Sequence, residues 1–207
     1  MRARFVGCIV ECSRRKAIAA ARILVHNTAM VIYFLRHASA GQKQFSNQAN
    51  DEKRPIDKVG EVQSHDVGRA MANIGVTASV IVSSPLMRAV QTANIVAQEL
   101  GHEEKIVLDD ALRPEASFEQ FKALLNRYKD KLSIMVVGHD PSMTEFVNRV
   151  LSGGGPLSAV EMKKGGVAKV EKELRRPAVL RWLVTPKVVQ RTQRSEAKRS
   201  RPKTDLK

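Results

Sequence analysis

The residues of this 207-residue chain best equipped for chemistry follow directly on apolar, β-rich runs. Val31-Ile32-Tyr33-Phe34-Leu35 leads into Arg36 and His37. Ala78 to Val82 leads through Ser83-Ser84-Pro85 to Arg88, in the first turn of the next helix. Leu132 to Val137 leads through Gly138 to His139, before another helix start. If these strand ends are neighbours, two arginines and two histidines converge, and helix N-termini add N–H groups and the positive end of a dipole. Such a cluster suits an anion, and the forked guanidinium geometry favours phosphate. Singly, each residue has an ordinary reading: a solvated charge, a structural histidine, a turn with a helix cap. Their joint placement at carboxyl ends of strands, where open α/β sheets bind ligands, points to chemistry.

The elements that must position them alternate along the chain. Asp57 caps a helix running to about Asn73, stopped by Gly75, and a second helix runs from about Leu86 to Leu100, closed by Gly101. A short strand is expected at Ile106-Val107-Leu108. The next helix spans 117–129, with Ser117 as its cap and Phe118, Phe121, Leu124, Leu125 and Tyr128 on one face. Another helix runs from Pro141 to about Leu151, and late strands are expected near 166–171 and 178–184. The polar segment 42–56 reads as a loop, and Gly153-Gly154-Gly155-Pro156 as a turn without the lysine and context of a phosphate-binding P-loop. This alternation predicts an α/β fold, a three-layer α/β/α sandwich around a mostly parallel sheet.

The net charge of +14 lies mainly in the ends. Residues 1–29 hold six Lys/Arg against one acid, residues 186–207 eight against two, and residues 30–185 twenty-one against eighteen. The expected organisation is a basic extension over 1–29, a folded domain over 30–185, and a basic, disordered tail over 186–207. Aromatics make up 4% of the chain and the tail has none, so base stacking and nucleic-acid binding have little support. The apolar runs fall well short of the roughly 18 residues of a membrane span. Cys8 and Cys12 both lie in the extension, which excludes a disulfide framework for the domain and makes a poor zinc site. A reducing cytoplasm is the simplest setting, and no metal or other cofactor is expected.

Phe34-Leu35-Arg36-His37-Ala38, Ser83-Ser84-Pro85-Leu86-Met87-Arg88-Ala89-Val90-Gln91-Thr92-Ala93 and Val136-Val137-Gly138-His139 resemble, in order and spacing, the motifs of the histidine phosphatase superfamily. This is the phosphoglycerate mutase-like group, and within it the chain looks like the small SixA-type phosphohistidine phosphatases. The resemblance covers about residues 30–185. It implies a phosphoglycerate mutase-like fold, His37 as the nucleophile that takes the phosphoryl group, and Arg36, Arg88 and His139 as phosphate-binding and catalytic residues. Ala38 stands where the family usually has Gly. By position Glu115 is the candidate general acid, and it reads equally as a solvent-facing helix-entry residue. Asp140 competes for that role or orients its loop and caps the following helix.

Only 19 residues separate His37 from Asp57 and 50 separate Arg88 from His139, which leaves no room for a long inserted lid. An open, shallow site suits a phosphorylated side chain on a protein. A phosphohistidine leaving group also asks less of a general acid, because its nitrogen is readily protonated. The expected activity is therefore a metal-independent phosphohistidine phosphatase acting on a protein partner. The alternatives are a phosphatase of small phosphate esters and a nucleic-acid or acidic-partner binding protein acting through its basic ends.

Overall fold

The computed structural model describes residues 29–41, 51–153, 160–173 and 176–199, with side chains to residue 192 in the last segment. The expected extension over 1–28, part of the 42–56 loop, Gly154-Gly155-Pro156 and residues 200–207 lie outside the described residues.

Alternating burial builds three layers. Strand β1 (Ala29–Arg36) is buried on both sides. Its Ile32 and Phe34 face one core with Phe121, Leu124, Phe146 and Val147. Its Tyr33 and Leu35 face a second core with Val67, Met71, Ala93 and Val96. A continuous apolar run is the pattern such a strand must have. The first core lies under α3 (Phe118–Arg127) and α4 (Ser142–Ser152). The second lies under α1 (Lys58–Asn73), α2 (Met87–Glu99) and α5 (Pro186–Arg199). Phe121 and Phe146 stack with centroids 4.4 Å apart. Fully burying such side chains contributes about 1.5–3 kcal/mol each.

The sheet is completed by β2 (Ile81–Ser83), β3 (Val107–Leu108), β4 (Ser133–Gly138), β5 (Val167–Glu173) and β6 (Val179–Val184), in the order β3-β2-β4-β1-β5-β6. The first four in that order are mutually parallel, and β5 and β6 join antiparallel. This is the expected mostly parallel α/β sheet. Asp57 caps α1 by accepting from the Gly60 N–H at 2.7 Å, and Ser117 and Gln120 form a reciprocal capping box at α3. Among the described residues, no helix is long and apolar enough to cross a membrane.

One boundary is corrected. The chain from Pro186 does not begin a disordered tail; residues 186–199 form α5, with proline at its first position. Val189 is 6% exposed in the second core, and Gln190 Nε2 donates to Asp66 Oδ2 of α1 at 3.0 Å. The segment is too basic and polar on average to read as structured, yet one buried valine and one interhelical hydrogen bond dock it onto α1.

α1 in turn supports the loop after β1. Ser39 Oγ donates to Asp57 Oδ2 at 2.8 Å, and the Asp57 N–H donates to the Ser39 carbonyl at 3.1 Å. A Cβ on Gly60 would lie 2.0 Å from that same carbonyl oxygen, a backbone atom that cannot yield cheaply. Gly60→Ala should therefore lower stability by roughly 1–3 kcal/mol, in the range of other overpacking substitutions. Urea unfolding reads this directly, and an unchanged midpoint would refute the close approach.

Candidate active site

Parallel pairing of β1 with β4 aligns Arg36 with Gly138. The next residue on each strand is a histidine, so His37 and His139 leave the sheet side by side. The His37 N–H donates to the Gly138 carbonyl at 3.0 Å, and the ring centroids are 4.9 Å apart. β2 lies on the far side of β4 in register Ser83 to Val137, which brings Ser84 against His139. The Ser84 Oγ and His139 Nε2 atoms are 2.9 Å apart. The chain then turns into α2, whose first turn carries Arg88. One turn later Thr92 Oγ1 donates to the Arg88 carbonyl at 2.7 Å and accepts from the Ala38 N–H at 3.1 Å. The long second motif thus fastens the loop after the nucleophile to the helix that bears the arginine.

Tautomers follow from the partners. The Ala38 carbonyl can only accept, so His37 Nδ1 donates to it, at 2.7 Å, and the neutral ring keeps its lone pair on Nε2. Ser84 Oγ accepts from the Leu86 N–H at 3.4 Å and pairs with His139 Nε2; in the tautomer where the serine donates to Nε2, the His139 proton lies on Nδ1. His37, Arg88 and His139 are 7%, 4% and 2% exposed. Burial, then the charges of Arg88, Arg36 and Lys164, hold the His37 pKa down at about 3, against a partial rise from its bond to Ala38. Burial and the neighbouring His37, Arg88, Arg36 and Arg54 bring His139 to about 2. At neutral pH both imidazoles are uncharged.

Arg36 and Arg88 remain the cations. Arg36 Nη1 donates to the Met162 carbonyl at 2.7 Å and lies 3.4 Å from Asp140 Oδ2. Arg88 donates from Nη1 to the Asp51 carbonyl at 2.8 Å and from Nη2 to Asp51 Oδ2 at 3.2 Å. Among the described residues four buried side-chain nitrogens lack a protein partner, and three belong to this cluster: Arg36 Nε, Arg88 Nε and His139 Nδ1. Three donors beside one nucleophilic nitrogen can hold the oxygens of a phosphoryl group. The described residues contain no cluster of His, Cys, Asp and Glu that would hold a metal ion.

Four of the five expected residues therefore converge. Glu115 is exposed in the turn after a 3-10 helix (Asp110–Leu112), with no hydrogen bond or ion pair to the other four. Ser142 Oγ bonds the carbonyl of nearby Arg113 at 3.4 Å, so this turn leans on the start of α4. Asp140 orients its surroundings: it accepts from Thr144 Oγ1 at 2.5 Å and faces Arg36. The sequence reasoning missed Asp51 and Arg54, which sit in the segment read only as a polar loop. Asp51 holds Arg88, Glu52 pairs with Arg113 at 2.8 Å, and Arg54 Nη1 reaches the Gly41 carbonyl at 2.7 Å. The site is consequently less open than its short connections imply. Their one signal was a charged tetrapeptide, Asp51-Glu52-Lys53-Arg54, just before a helix cap.

A family model described as the histidine phosphatase superfamily (branch 1) matches residues 32–126. An uncharacterised protein of Picosynechococcus sp. (strain ATCC 27264 / PCC 7002 / PR-6) is 32% identical over 143 residues, covering 67% of this chain and 82% of that protein. The solved structure of the protein histidine phosphatase SixA complexed with tungstate superposes with a TM-score of 0.68 at 21% identity, covering 77% of this chain and 99% of that one. The α-ribazole phosphatase from Shigella flexneri has the same fold, with a TM-score of 0.59 at 17% identity over 76% of this chain and 97% of its own.

The two buried imidazoles couple folding to pH. Each takes up a proton near 6.5 in the unfolded chain but resists it in the folded one down to about 3 and about 2. Within that window the unfolded state binds more protons, so stability rises with pH. It should be complete above about pH 6.5 and fall steadily on acidification below it. The urea midpoint should drop between about pH 7.5 and 5, while the NMR ring signals of His37 and His139 keep their neutral-form shifts. Two rings titrating near 6.5 would contradict their burial.

Proposed function

The chain belongs to the histidine phosphatase superfamily, and on that premise we propose a metal-independent phosphatase that forms a covalent phosphohistidine at His37 and takes phosphohistidine on a protein as its substrate. The observation that carries the reading is the pairing of a neutral His37, its Nδ1 proton committed to Ala38, with three unpartnered donors on Arg36, Arg88 and His139.

In the first step His37 Nε2 attacks phosphorus. A P–N bond to His37 forms, the P–N bond to the substrate imidazole breaks, and the departing nitrogen takes a proton from solvent. In the second step the oxygen of a water attacks phosphorus. The bond to His37 breaks, its electron pair returns to Nε2, orthophosphate leaves and the water's proton passes to solvent. Through both steps charge is spread over the equatorial oxygens. Arg36, Arg88 and the Nδ1–H of His139 meet that charge with donors already in place, so the guanidinium groups supply the positive charge a metal would otherwise bring. Splitting the transfer in two is the ordinary advantage of a covalent nucleophile.

The leaving group separates two substrate readings. An imidazole departs readily once protonated, whereas an ester oxygen needs a placed acid. Glu115, exposed and unattached to the four central residues, is in our reading an acid of use only toward esters. The deep burial of His37 and His139 and the Asp51–Arg54 cover favour small phosphate esters as the second reading. A purely binding role for the basic C-terminal segment has less support, because α5 is docked on α1 through Val189 and Gln190. A cytoplasmic location belongs with the phosphohistidine reading.

Phosphate release from a histidine-phosphorylated protein, with no metal added, tests the proposal. His37→Ala should abolish release. Arg88→Ala should slow it by about 10²–10³-fold, the loss that follows removal of a single oxyanion donor. Glu115→Gln should slow hydrolysis of aryl phosphate esters and spare phosphohistidine. Full turnover by His37→Ala would overturn the nucleophile, and release from small esters alone would move the substrate class to the second reading.

A further inference from the structure

We propose that Lys164 is a specificity residue that grips a second anionic group on the substrate. Under the phosphohistidine reading, on which this rests, that group is an acidic side chain flanking the phosphorylated histidine.

The turn that carries Lys164 is fixed to the nucleophile's own backbone. The Gly165 N–H donates to the carbonyls of both Arg36 and His37, at 3.1 Å each, and the Arg36 N–H donates to the Gly166 carbonyl at 3.1 Å. Arg36 Nη1 adds its bond to the Met162 carbonyl at 2.7 Å. Gly165 has a φ of +66°, a conformation that strains any other residue, and a Cβ there would lie 2.8 Å from Pro186 Cγ of α5. The turn is thus clamped between the end of β1 and the start of α5, and the backbone of Lys164 cannot drift from the site.

Its side chain has nothing structural to do. Lys164 is exposed and makes no hydrogen bond or ion pair among the described residues, whereas the adjacent Lys163 pairs with Glu161. Its ammonium still acts on the site, since it lies close enough to help keep His37 neutral and to favour the Asp57 carboxylate. A further cation beside Arg36, Arg88 and Arg54 raises repulsion within the site, and an anion relieves it. The phosphoryl oxygens already have donors from three buried side chains. A flexible lysine on the rim, a compact charge on a four-carbon stem, is placed instead to meet a second anionic group that the substrate holds near the phosphoryl.

The experiment compares two ligands that the protein does not need to turn over. Orthophosphate presents one anionic group. Methylenediphosphonate presents a second one carbon away, through P–C bonds that resist hydrolysis. Calorimetric titration of the full-length protein should show tighter binding of the diphosphonate. Lys164→Met, which keeps most of the stem, should remove roughly fivefold of that preference at low ionic strength, the scale of one exposed charge pair. Orthophosphate binding should change much less, Lys164→Arg should restore the preference, and added salt should shrink it. With histidine-phosphorylated peptides carrying Asp or Asn beside the modified residue, Lys164→Met should raise KM for the Asp peptide and leave kcat in place.

Equal losses for both ligands, or none, would overturn the role of Lys164. Absence of orthophosphate binding to the unaltered protein would overturn the phosphatase reading and this inference together. A persistent, Lys164-dependent preference for the diphosphonate without turnover of either peptide would uphold the second anion site and overturn the phosphohistidine substrate.

Discussion

The register between β1 and β4 is the constraint on which the site depends. Parallel pairing sets Arg36 opposite Gly138, and both chains leave the sheet one residue later with a histidine. A slip of one residue would turn every side chain of β1 to the opposite face, exchanging the Phe34 side of the core for the Leu35 side. The same slip would part His37 from His139 and break the bond from the His37 N–H to Gly138. Register and chemistry are therefore held by one set of contacts. The two apolar cores that stabilise the sheet also keep His37 in place, and Thr92 fastens the loop that follows it.

Gly138 shows how tight that arrangement is. A Cβ there would stand 2.8 Å from Met143 Sδ and 3.1 Å from the Leu112 carbonyl. A side chain there would have to push Met143 aside and crowd the Leu112 carbonyl, where β4 ends, the 3-10 turn passes and α4 begins. His139 is delivered by that crowding, and its carbonyl accepts from the Met143 N–H at 2.7 Å. The electrostatics follow from the same compression. Two guanidinium groups keep their charge in a place where water is largely excluded, and the imidazoles, which can surrender theirs, do so. The nearby carboxylates, Asp51 on Arg88 and Asp140 beside Arg36, offset part of the positive charge from the rim. Asp51 holds both outer nitrogens of Arg88 and leaves Nε unpartnered, so the orientation of the guanidinium and the seating of the Asp51–Arg54 segment are linked.

Much of this was legible in the sequence because it is local. The run Val31–Leu35, the caps at Asp57 and Ser117, and the three motifs at strand ends are each readable within a few residues; the convergence of Arg36, His37, Arg88 and His139 hung on those strand ends being neighbours, which the order β2-β4-β1 provides. What escaped depends on contacts distant in sequence. Asp51 meets Arg88 37 residues later, and Lys164 is brought to His37 by the antiparallel return of β5 beside β1. The helix from Pro186 escaped for an energetic reason. Its stability comes from docking on α1, and a segment judged by its own composition carries no record of the surface it will meet.

The chemistry of the leaving group ties the parts together. A site that offers two guanidinium groups and a neutral imidazole stabilises charge on the phosphoryl oxygens but does little for charge on the departing atom. Such a site suits a departing group that becomes neutral by taking a proton easily, as an imidazole nitrogen does. An alkoxide would leave against the grain of this arrangement, because Glu115, the candidate acid, stands exposed and unattached to the four central residues. The cover of Asp51, Glu52 and Arg54 argues the other way, since it narrows access to His37. That cover is held by ion pairs and backbone hydrogen bonds at the rim, not by the apolar cores. The Glu52–Arg113 pair at the rim contributes little individually, whereas Asp51 pairs with a buried guanidinium, so its release is costly unless another anion takes its place. In the proposed reading the phosphoryl group meets Arg88 at its unpartnered Nε, and the outer nitrogens stay with Asp51 unless the phosphoryl oxygens replace its carboxylate.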